Sequence, residues 1–312
     1  MSYASETKNE LARVEPEKKC CMLAEIAGFM RFAGSVGLAG GGKFRMVMTT
    51  PNLAVVRHYK KLIKSYFGVD TDIEVGSGAS TARGLKGAKA KEYIIRIEPE
   101  NNSEMILREM GILIVREGMN TLSDGIYDGL IKTKCCRKAY LRGAFLGAGT
   151  VNNPEISHHF EISTSSELCA RELRRMINTF VDINARIVDR KTGYGVYLKA
   201  RDQIADTLAI MGASKAYFDY QDKIIMKDTL AAARKIEQRS VADTETNEKF
   251  PRIGGAIGIA HVVRQRIVVC GKSIISAHCA SFMRSKTASY PFSPMLIARL
   301  TRLIVAVLAP VS

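Results

Sequence analysis

Three features are absent from this sequence of 312 residues, and each absence excludes a class of protein. No stretch of 18 or more uncharged apolar residues occurs, so no membrane span is expected. The opening residues 1–19 carry charges of both signs without an apolar run, unlike a signal peptide. The seven cysteines include no CxxC spacing, which is typical of free thiols in a reducing compartment. These absences predict a cytoplasmic protein with no membrane partner.

Acidic residues are absent from one end of the chain, residues 250–312. This stretch contains eight Lys and Arg residues but no Asp or Glu. A domain of that length rarely lacks every acid, because charges of both signs keep a surface soluble. The apolar run at 303–309 also shows no amphipathic order. We therefore interpret 250–312 as an aberrant tail, either degenerate or translated out of its original frame.

The net charge favours nucleic acid as a partner, although part of it comes from the tail. The formal net charge is +15. Residues 1–249 contain 38 basic and 31 acidic residues, so the body of the chain is only moderately basic. A basic excess concentrated on one surface is the usual electrostatic signature of nucleic-acid binding.

Two segments of similar sequence, IAGFMRFAGS at 26–35 and LRGAFLGAGT at 141–150, lie 115 residues apart. Glycine and alanine recur in both at helical spacing, which removes the bulk that keeps two helix axes apart. The pattern predicts two helices that pack closely on each other. The expected packing positions are Gly28, Gly34, Gly143 and Gly149.

The sequences that follow these two segments indicate a duplication of a whole unit. Residues 59–73 align with 173–187 at an offset of 114, matching apolar positions and a basic pair. We therefore predict an N-terminal unit at 1–126, a second unit at 127–221 and a connecting helix at 222–249, followed by the tail.

Periodicity assigns both units to the α+β class, with helices at three-to-four spacing and strands by alternation. Ser5 is predicted to cap a short first helix. The first unit is predicted to have helices at 20–34, 52–67 and 103–110 and strands at 43–50, 70–76 and 91–98. The second is predicted to have helices at 134–148, 166–182 and 201–211 and strands at 157–164, 185–190 and 194–200.

Adjacent cysteine pairs stand at the same place in both units, just before the glycine-bearing segments: Cys20 and Cys21, and Cys135 and Cys136. If the two helices run parallel, the four thiols meet and bind zinc. The alternative is ordinary packing by a residue type that is often buried. We favour packing, and no cofactor or metal is predicted.

Basic residues in two settings are candidates for phosphate contact. The glycine-rich, acid-free stretch 76–91 is predicted to be a mobile loop, although such loops are often simply solvated. Its candidates are Arg83, Lys86, Lys89 and Lys91, and those at strand positions are Lys43, Arg45, Arg96 and Lys199. His158 and His159 are consecutive in a strand, so their side chains point to opposite faces and do not form one ligand site.

The two glycine-bearing segments resemble LAGLIDADG homing endonucleases, and the chain more closely resembles the WhiA family of bacterial regulators. The residues that carry this resemblance are 2–13, 17–21, 140–150, 158–161 and 243–247. It implies a pseudo-twofold saddle of two tandem units whose curved sheets face double-stranded DNA. It also implies a nucleoid-associated role in cell division, chromosome segregation, sporulation and transcription regulation, with regulatory protein partners. WhiA-like proteins normally end in a helix-turn-helix, and the atypical tail stands in its place.

In the nuclease pattern an acid that binds a divalent metal precedes the last glycine of each segment. Here these positions are Ala33 and Ala148. Metal-dependent cleavage of DNA needs hard oxygen ligands, and a methyl group offers none. The resemblance therefore implies a DNA-binding protein that is not an enzyme. The alternatives are a protein-interaction scaffold on the same fold and a metal-dependent endonuclease.

Overall fold

The computed structural model describes residues 2–77 and 91–248, with side chains described for 2–76 and 91–235. The chain divides into a compact unit, Met1–Ile236, and a second unit, Glu237–Ser312, in which only helical residues up to Glu248 are described. No helix in the described ranges is both long and apolar enough to cross a membrane. The predicted tail 250–312 lies outside the described residues.

The first copy of the duplicated unit follows a short helix, α1 (Tyr3–Leu11). Its strands form an antiparallel sheet, here called sheet 1, in the order β1-β2-β4-β3. The elements are α2 (Lys19–Ala33), β1 (Gly34–Leu38), β2 (Phe44–Thr50), α3 (Leu53–Phe67), β3 (Ile73–Ser77), β4 (Lys91–Ile97) and α4 (Ser103–Glu109).

The second copy repeats this order after a hairpin of β5 (Leu113–Arg116) and β6 (Met119–Leu122). Its antiparallel sheet, sheet 2, has the equivalent order β7-β8-β10-β9. The elements are α5 (Lys134–Ala148), β7 (Gly149–Val151), β8 (Phe160–Thr164), α6 (Glu167–Ile177), β9 (Arg186–Arg190), β10 (Gly193–Leu198) and α7 (Arg201–Met211), and α8 (Ser214–Glu248) follows. The predicted α+β class and tandem duplication are confirmed.

Polar side chains cap the starts of three helices of the two copies, α3, α5 and α6. The Asn52 side chain accepts hydrogen bonds from the backbone of Ala54 and Val55 at the start of α3. The hydroxyls of Thr133 and Ser166 do the same at the starts of α5 and α6. These local signals explain why the starts of these helices were predicted to within one residue.

Helices α2 and α5 pack face to face in parallel at the centre of the unit. A Cβ on Gly28 would lie 2.5 Å from the Tyr140 carbonyl oxygen, and one on Gly143 would lie 2.9 Å from the Phe29 amide nitrogen and also meet the Glu25 carbonyl. These contacts are reciprocal at the sequence offset of 115, which indicates an approximate twofold axis between the helices. Each helix leads directly into its sheet, so both sheets begin at the same end of the helix pair.

Two of the four glycines predicted at this interface lie elsewhere. The atoms nearest to a Cβ on Gly34 belong to Met30, and those nearest to one on Gly149 belong to Phe145. Each of these neighbours is four residues earlier in the chain, in the preceding helix. Both glycines therefore leave room for the backbone to pass directly from the helix into the strand. Gly147, which was not predicted, instead faces Phe32 and Ala33 of α2.

Several predicted element bounds were wrong. Strands β1 and β7 were missed because each follows its helix without a loop, and glycine in both lowers strand propensity. The helix predicted at 166–182 ends at Ile177, where the Asn178 side chain bonds both backbone groups of Ala185 and holds the next turn. The first helix is capped by Ser2 rather than Ser5, and the last begins at Ser214 rather than 222. The hairpin β5–β6 was not predicted.

Candidate nucleic-acid interface

Among the described residues, helices cover one face of sheet 1 and leave the other face open. In β2, Met46, Met48 and Thr50 are buried against the helices, and the alternate residues, including Arg45, are half-buried on the open face. In β4, Arg96 lies directly opposite Val47 of β2, on the same open face. Sequence alternation therefore placed both predicted arginines on one surface.

Both arginines of sheet 1 are already paired with carboxylates. The Arg45 Nε atom lies 3.5 Å from a Glu98 carboxylate oxygen without forming a hydrogen bond, and Arg96 donates to Glu74 at 3.1 Å. Each arginine side chain is about one-third exposed (34%), so solvent weakens these pairs. The open face of sheet 1 is therefore nearly neutral, and an incoming phosphate has to compete for its arginines.

The open face of sheet 2 is organised by one buried carboxylate. Glu161 is only 4% exposed, and its oxygens lie 2.9 Å from His159 Nε2, 3.2 Å from the Ser163 hydroxyl and 2.5 Å from an Arg190 guanidinium nitrogen. Gly195 of the neighbouring strand makes room for it, because a Cβ there would lie 2.6 Å from Glu161. Glu161 therefore fixes the position of the partly exposed Arg190.

A shallow cavity of about 310 Å³ lies at the end of this face. Arg186 and Lys199 line it, together with Tyr197, Asn184 and Gln203. The Lys199 ammonium lies 5.5 Å from the centre of the Tyr197 ring, within the range of a cation–π contact. The face therefore presents two cations, Arg186 and Lys199, beside an aromatic ring and donor-bearing amides.

The helix ends that would hold a metal in a nuclease carry methyl groups. Ala33 ends α2 and Ala148 ends α5, and both are half-buried. The two ends touch, because a Cβ on Gly147 would lie 3.2 Å from the Ala33 Cβ. Neither alanine side chain can supply an oxygen ligand at this junction.

At the opposite end of the helix pair, the four predicted cysteines come together. The sulfur atoms of Cys20, Cys21 and Cys136 all lie within 4.8 Å of one another. The thiol of Cys135 contacts the Cys21 thiol and lies 3.2 Å from the Thr133 hydroxyl. The Thr133 hydroxyl, and then Cys21, lower the pKa of Cys135 to about 7. Among the described residues, no other group of three Cys, His, Asp or Glu side chains is close enough to share an ion.

Two family profiles match consecutive parts of the chain. The WhiA N-terminal LAGLIDADG-like domain matches residues 19–113, and the WhiA LAGLIDADG-like domain matches residues 137–230. Together they cover more than half of the chain. The chain belongs to the WhiA family.

Individual WhiA proteins support this assignment. The probable cell division protein WhiA of Alkaliphilus metalliredigens is 37% identical over 267 residues, covering 83% of this chain and 82% of the relative. The protein of the same name from Desulforamulus reducens is 40% identical over 227 residues, covering 73% of this chain and 68% of the relative. Full-length DUF199/WhiA from Thermatoga maritima superposes with a TM-score of 0.55 at 16% identity, covering 93% of this chain and 83% of that one. This last likeness shows the fold, and the predicted tandem LAGLIDADG-like architecture is confirmed.

On this WhiA fold the predicted phosphate contacts separate into three groups. Four residues alternate along the chain with the strand residues that face the helices, which assigns them to the open faces: Lys43, Arg45, Arg96 and Lys199. Lys91 is two residues before Tyr93 in β4, and every second residue of a strand points to the same face. Because Tyr93, Ile95 and Ile97 point toward the helices, Lys91 belongs to the helix-covered side of sheet 1. Arg83, Lys86 and Lys89 lie outside the described residues. All eight stay predictions as DNA contacts.

Several residues of the sheet 2 face were missed by sequence reasoning. Arg186 and Arg190 alternate with Ile187 and Asp189 in β9. The strand alternation that selected Lys199 would therefore have selected these two arginines as well. Glu161 had no such signal, because a carboxylate buried on an open face is recognisable only from its partners in space.

Proposed function

We propose that this WhiA-family chain is a non-catalytic, double-stranded-DNA-binding regulator of bacterial cell division. Its relatives carry the name probable cell division protein, and the finer roles in chromosome segregation, sporulation and transcription control are part of the proposal. Nucleoid association and regulatory protein partners follow from the same role. The structural support comes from the open sheet faces and from the junction of the two central helices.

The observation that carries DNA binding is the charge of the sheet 2 face. Among the described strand residues of sheet 2, Arg186, Arg190 and Lys199 share this face with one carboxylate, Glu161, which is itself buried. Because Glu161 and Tyr197 hold two of the three cations, less side-chain freedom is lost when a phosphate binds. Phosphate contacts of this kind give affinity without base specificity.

The absence of catalysis is supported by Ala33 and Ala148. Hydrolysis by two acids and a divalent metal requires oxygen ligands at the helix junction, where this chain has two methyl groups. A surface that binds DNA without metal-dependent hydrolysis is suited to a regulatory role.

The test is duplex-DNA binding by the full chain, measured by fluorescence anisotropy at 50 and 200 mM salt. If three phosphates are contacted, the affinity falls about 40-fold between these salt concentrations. The double variant Arg186→Glu/Lys199→Glu should bind much more weakly and lose part of the salt dependence. The matched control is Arg57→Glu/Arg174→Glu, which makes the same charge change at exposed positions of α3 and α6 and should retain most of the affinity.

The same samples test the enzyme alternative when Mg²⁺ or Mn²⁺ is added. Intact DNA after incubation agrees with the proposal. Cleavage that EDTA abolishes, or equal binding by the two double variants, would contradict it.

A protein-interaction scaffold is the second candidate, and the pairing on sheet 1 favours it. Arg45 and Arg96 are already paired with Glu98 and Glu74, and the apolar residues Val47 and Ile94 share the same open face. A nearly neutral face of this kind is better suited to a protein than to phosphate. If no DNA binds even at 50 mM salt, the scaffold is the better account of the fold.

A further inference from the structure

The two cysteine pairs meet because the central helices are parallel and in register. Each pair occupies the second and third residues of its helix, Cys20 and Cys21 in α2 and Cys135 and Cys136 in α5. Neighbouring helical residues point about 100° apart, so a single helix spreads its two thiols. The approximate twofold axis between α2 and α5 brings the four thiols into one cluster.

We propose that these four cysteines bind one Zn²⁺ ion. With Zn–S bonds of about 2.3 Å, the sulfur atoms of a tetrahedral site lie about 3.8 Å apart. Three of the sulfurs are already within 4.8 Å of one another, and the fourth contacts Cys21. Completing the tetrahedron therefore requires the half-buried Cys135 side chain to turn toward the other three sulfurs.

The charge around the cluster suits a zinc ion held by four thiolates, which carries two net negative charges. The first turns of α2 and α5 contain no acid, and the N-termini of both helices point their positive ends at the cluster. Lys18 immediately precedes α2 and adds a positive charge close to Cys135. A negatively charged metal centre is therefore stabilised at this end of the helix pair.

Ordinary packing accounts for only half of the cluster. Cys21 and Cys136 are buried, as expected for core thiols, but Cys20 is exposed and Cys135 is half-buried. Exposed thiols contribute little to packing, whereas a metal ion gives all four sulfurs a common partner. Four protein ligands leave no open position, so this zinc is structural and joins the two copies at one end of their interface.

The first experiment measures metal in the full chain purified under reducing conditions without chelators. Mass spectrometry should find about one zinc ion per chain. After exchange into Co²⁺, the absorption spectrum should show the intense visible bands of tetrahedral cobalt together with thiolate-to-cobalt charge transfer. A weak octahedral cobalt spectrum, or a chain that takes up no zinc, would overturn the proposal.

Variants then locate the ligands. Cys20→Ser and Cys136→Ser should each weaken zinc binding by at least about 100-fold. The matched control is Cys270→Ser/Cys279→Ser, which removes two thiols outside the described residues and should retain the ion. Zinc that stays in the first two variants but leaves the control contradicts the assignment. The cobalt spectrum of the unaltered chain decides the question if a variant fails to fold.

Discussion

Glu25 of α2 and Arg142 of α5 form a buried ion pair across the central helix interface. The Glu25 side chain is fully buried, and one carboxylate oxygen accepts hydrogen bonds from Arg142 Nε at 3.0 Å and Nη2 at 2.5 Å. The other oxygen lies 2.9 Å from His58 Nε2, and Arg142 Nη1 donates to the Met211 carbonyl at 2.9 Å. The positions related by the twofold offset are occupied by Tyr140 and Ala27, so the pair distinguishes the two copies.

Removing one partner of this pair should strongly destabilise the fold. We expect Arg142→Met to lower the free energy of unfolding by about 3–5 kcal/mol, because it leaves the Glu25 carboxylate buried without its counter-ion. Urea unfolding followed by circular dichroism measures the loss. Glu25→Leu/Arg142→Met should recover part of it, since no charge then remains at the interface. A double variant no more stable than Arg142→Met would show that packing, rather than charge, governs this site.

Gly143→Ala should separate the central helices. The added methyl group meets the backbone of Glu25 and Phe29, which cannot yield as a flexible side chain does. We expect a loss of about 2 kcal/mol or more, although alanine is itself the better helix former by about 1 kcal/mol. Gly37→Ala is the control, because its nearest neighbour is the flexible Arg45 side chain at 3.3 Å. Equal thermal stability of the two variants would contradict this close packing.

The helix pair was predictable because its glycine spacing repeats at a fixed offset, and the open faces were predictable from strand alternation. The ion pair of Glu25 with Arg142 was not, because the two residues are 117 positions apart and have no counterparts in the other copy. The network of Glu161 was missed for a similar reason, as its partner Arg190 comes from another strand. Sequence periodicity therefore predicted the features that are repeated in both copies. The polar contacts that occur in only one copy could be recognised only from the three-dimensional structure.

Glu161→Gln should strengthen DNA binding if the sheet 2 face contacts phosphates. The change removes the one carboxylate shared by Arg190 and His159 and nearly preserves its size. One unit of charge at several ångströms in water changes affinity by about threefold. Anisotropy titration at 50 mM salt measures the change, and the gain should shrink at 200 mM. Unchanged affinity at both salt concentrations would place the DNA elsewhere.

Acids placed at the helix junction should create a cation site. In Ala33→Asp/Ala148→Asp, two carboxylates stand at adjoining helix C-termini, where the macrodipole disfavours each by about 0.3–1 kcal/mol. We expect a lower melting temperature than that of the unaltered chain and a rise on addition of Ca²⁺. Ala12→Asp places a single acid at the end of α1 and serves as the control. A double variant that responds to Ca²⁺ no more than this control would show that the junction does not hold a cation.

His158 should make the fold less stable in mild acid. Its Nδ1 lies 2.8 Å from the Tyr220 hydroxyl, and burial, followed by the charges of Lys227 and Arg201, lowers its pKa below the usual 6.5, an effect partly opposed by Asp202 and Asp228. Below pH 6.5 the unfolded chain therefore binds this proton more readily than the folded chain does, so the free energy of unfolding decreases as the pH falls.

His158→Gln removes this proton and retains a side chain that can bond Tyr220. Urea unfolding between pH 7 and pH 5 should therefore give a shallower loss of stability in the variant, with carboxylates elsewhere contributing equally to both proteins. The two curves should separate below pH 6.5 and run parallel above it. Curves that stay parallel throughout would mean that His158 takes up its proton equally well in the folded and unfolded chains, and that its contact with Tyr220 survives in acid.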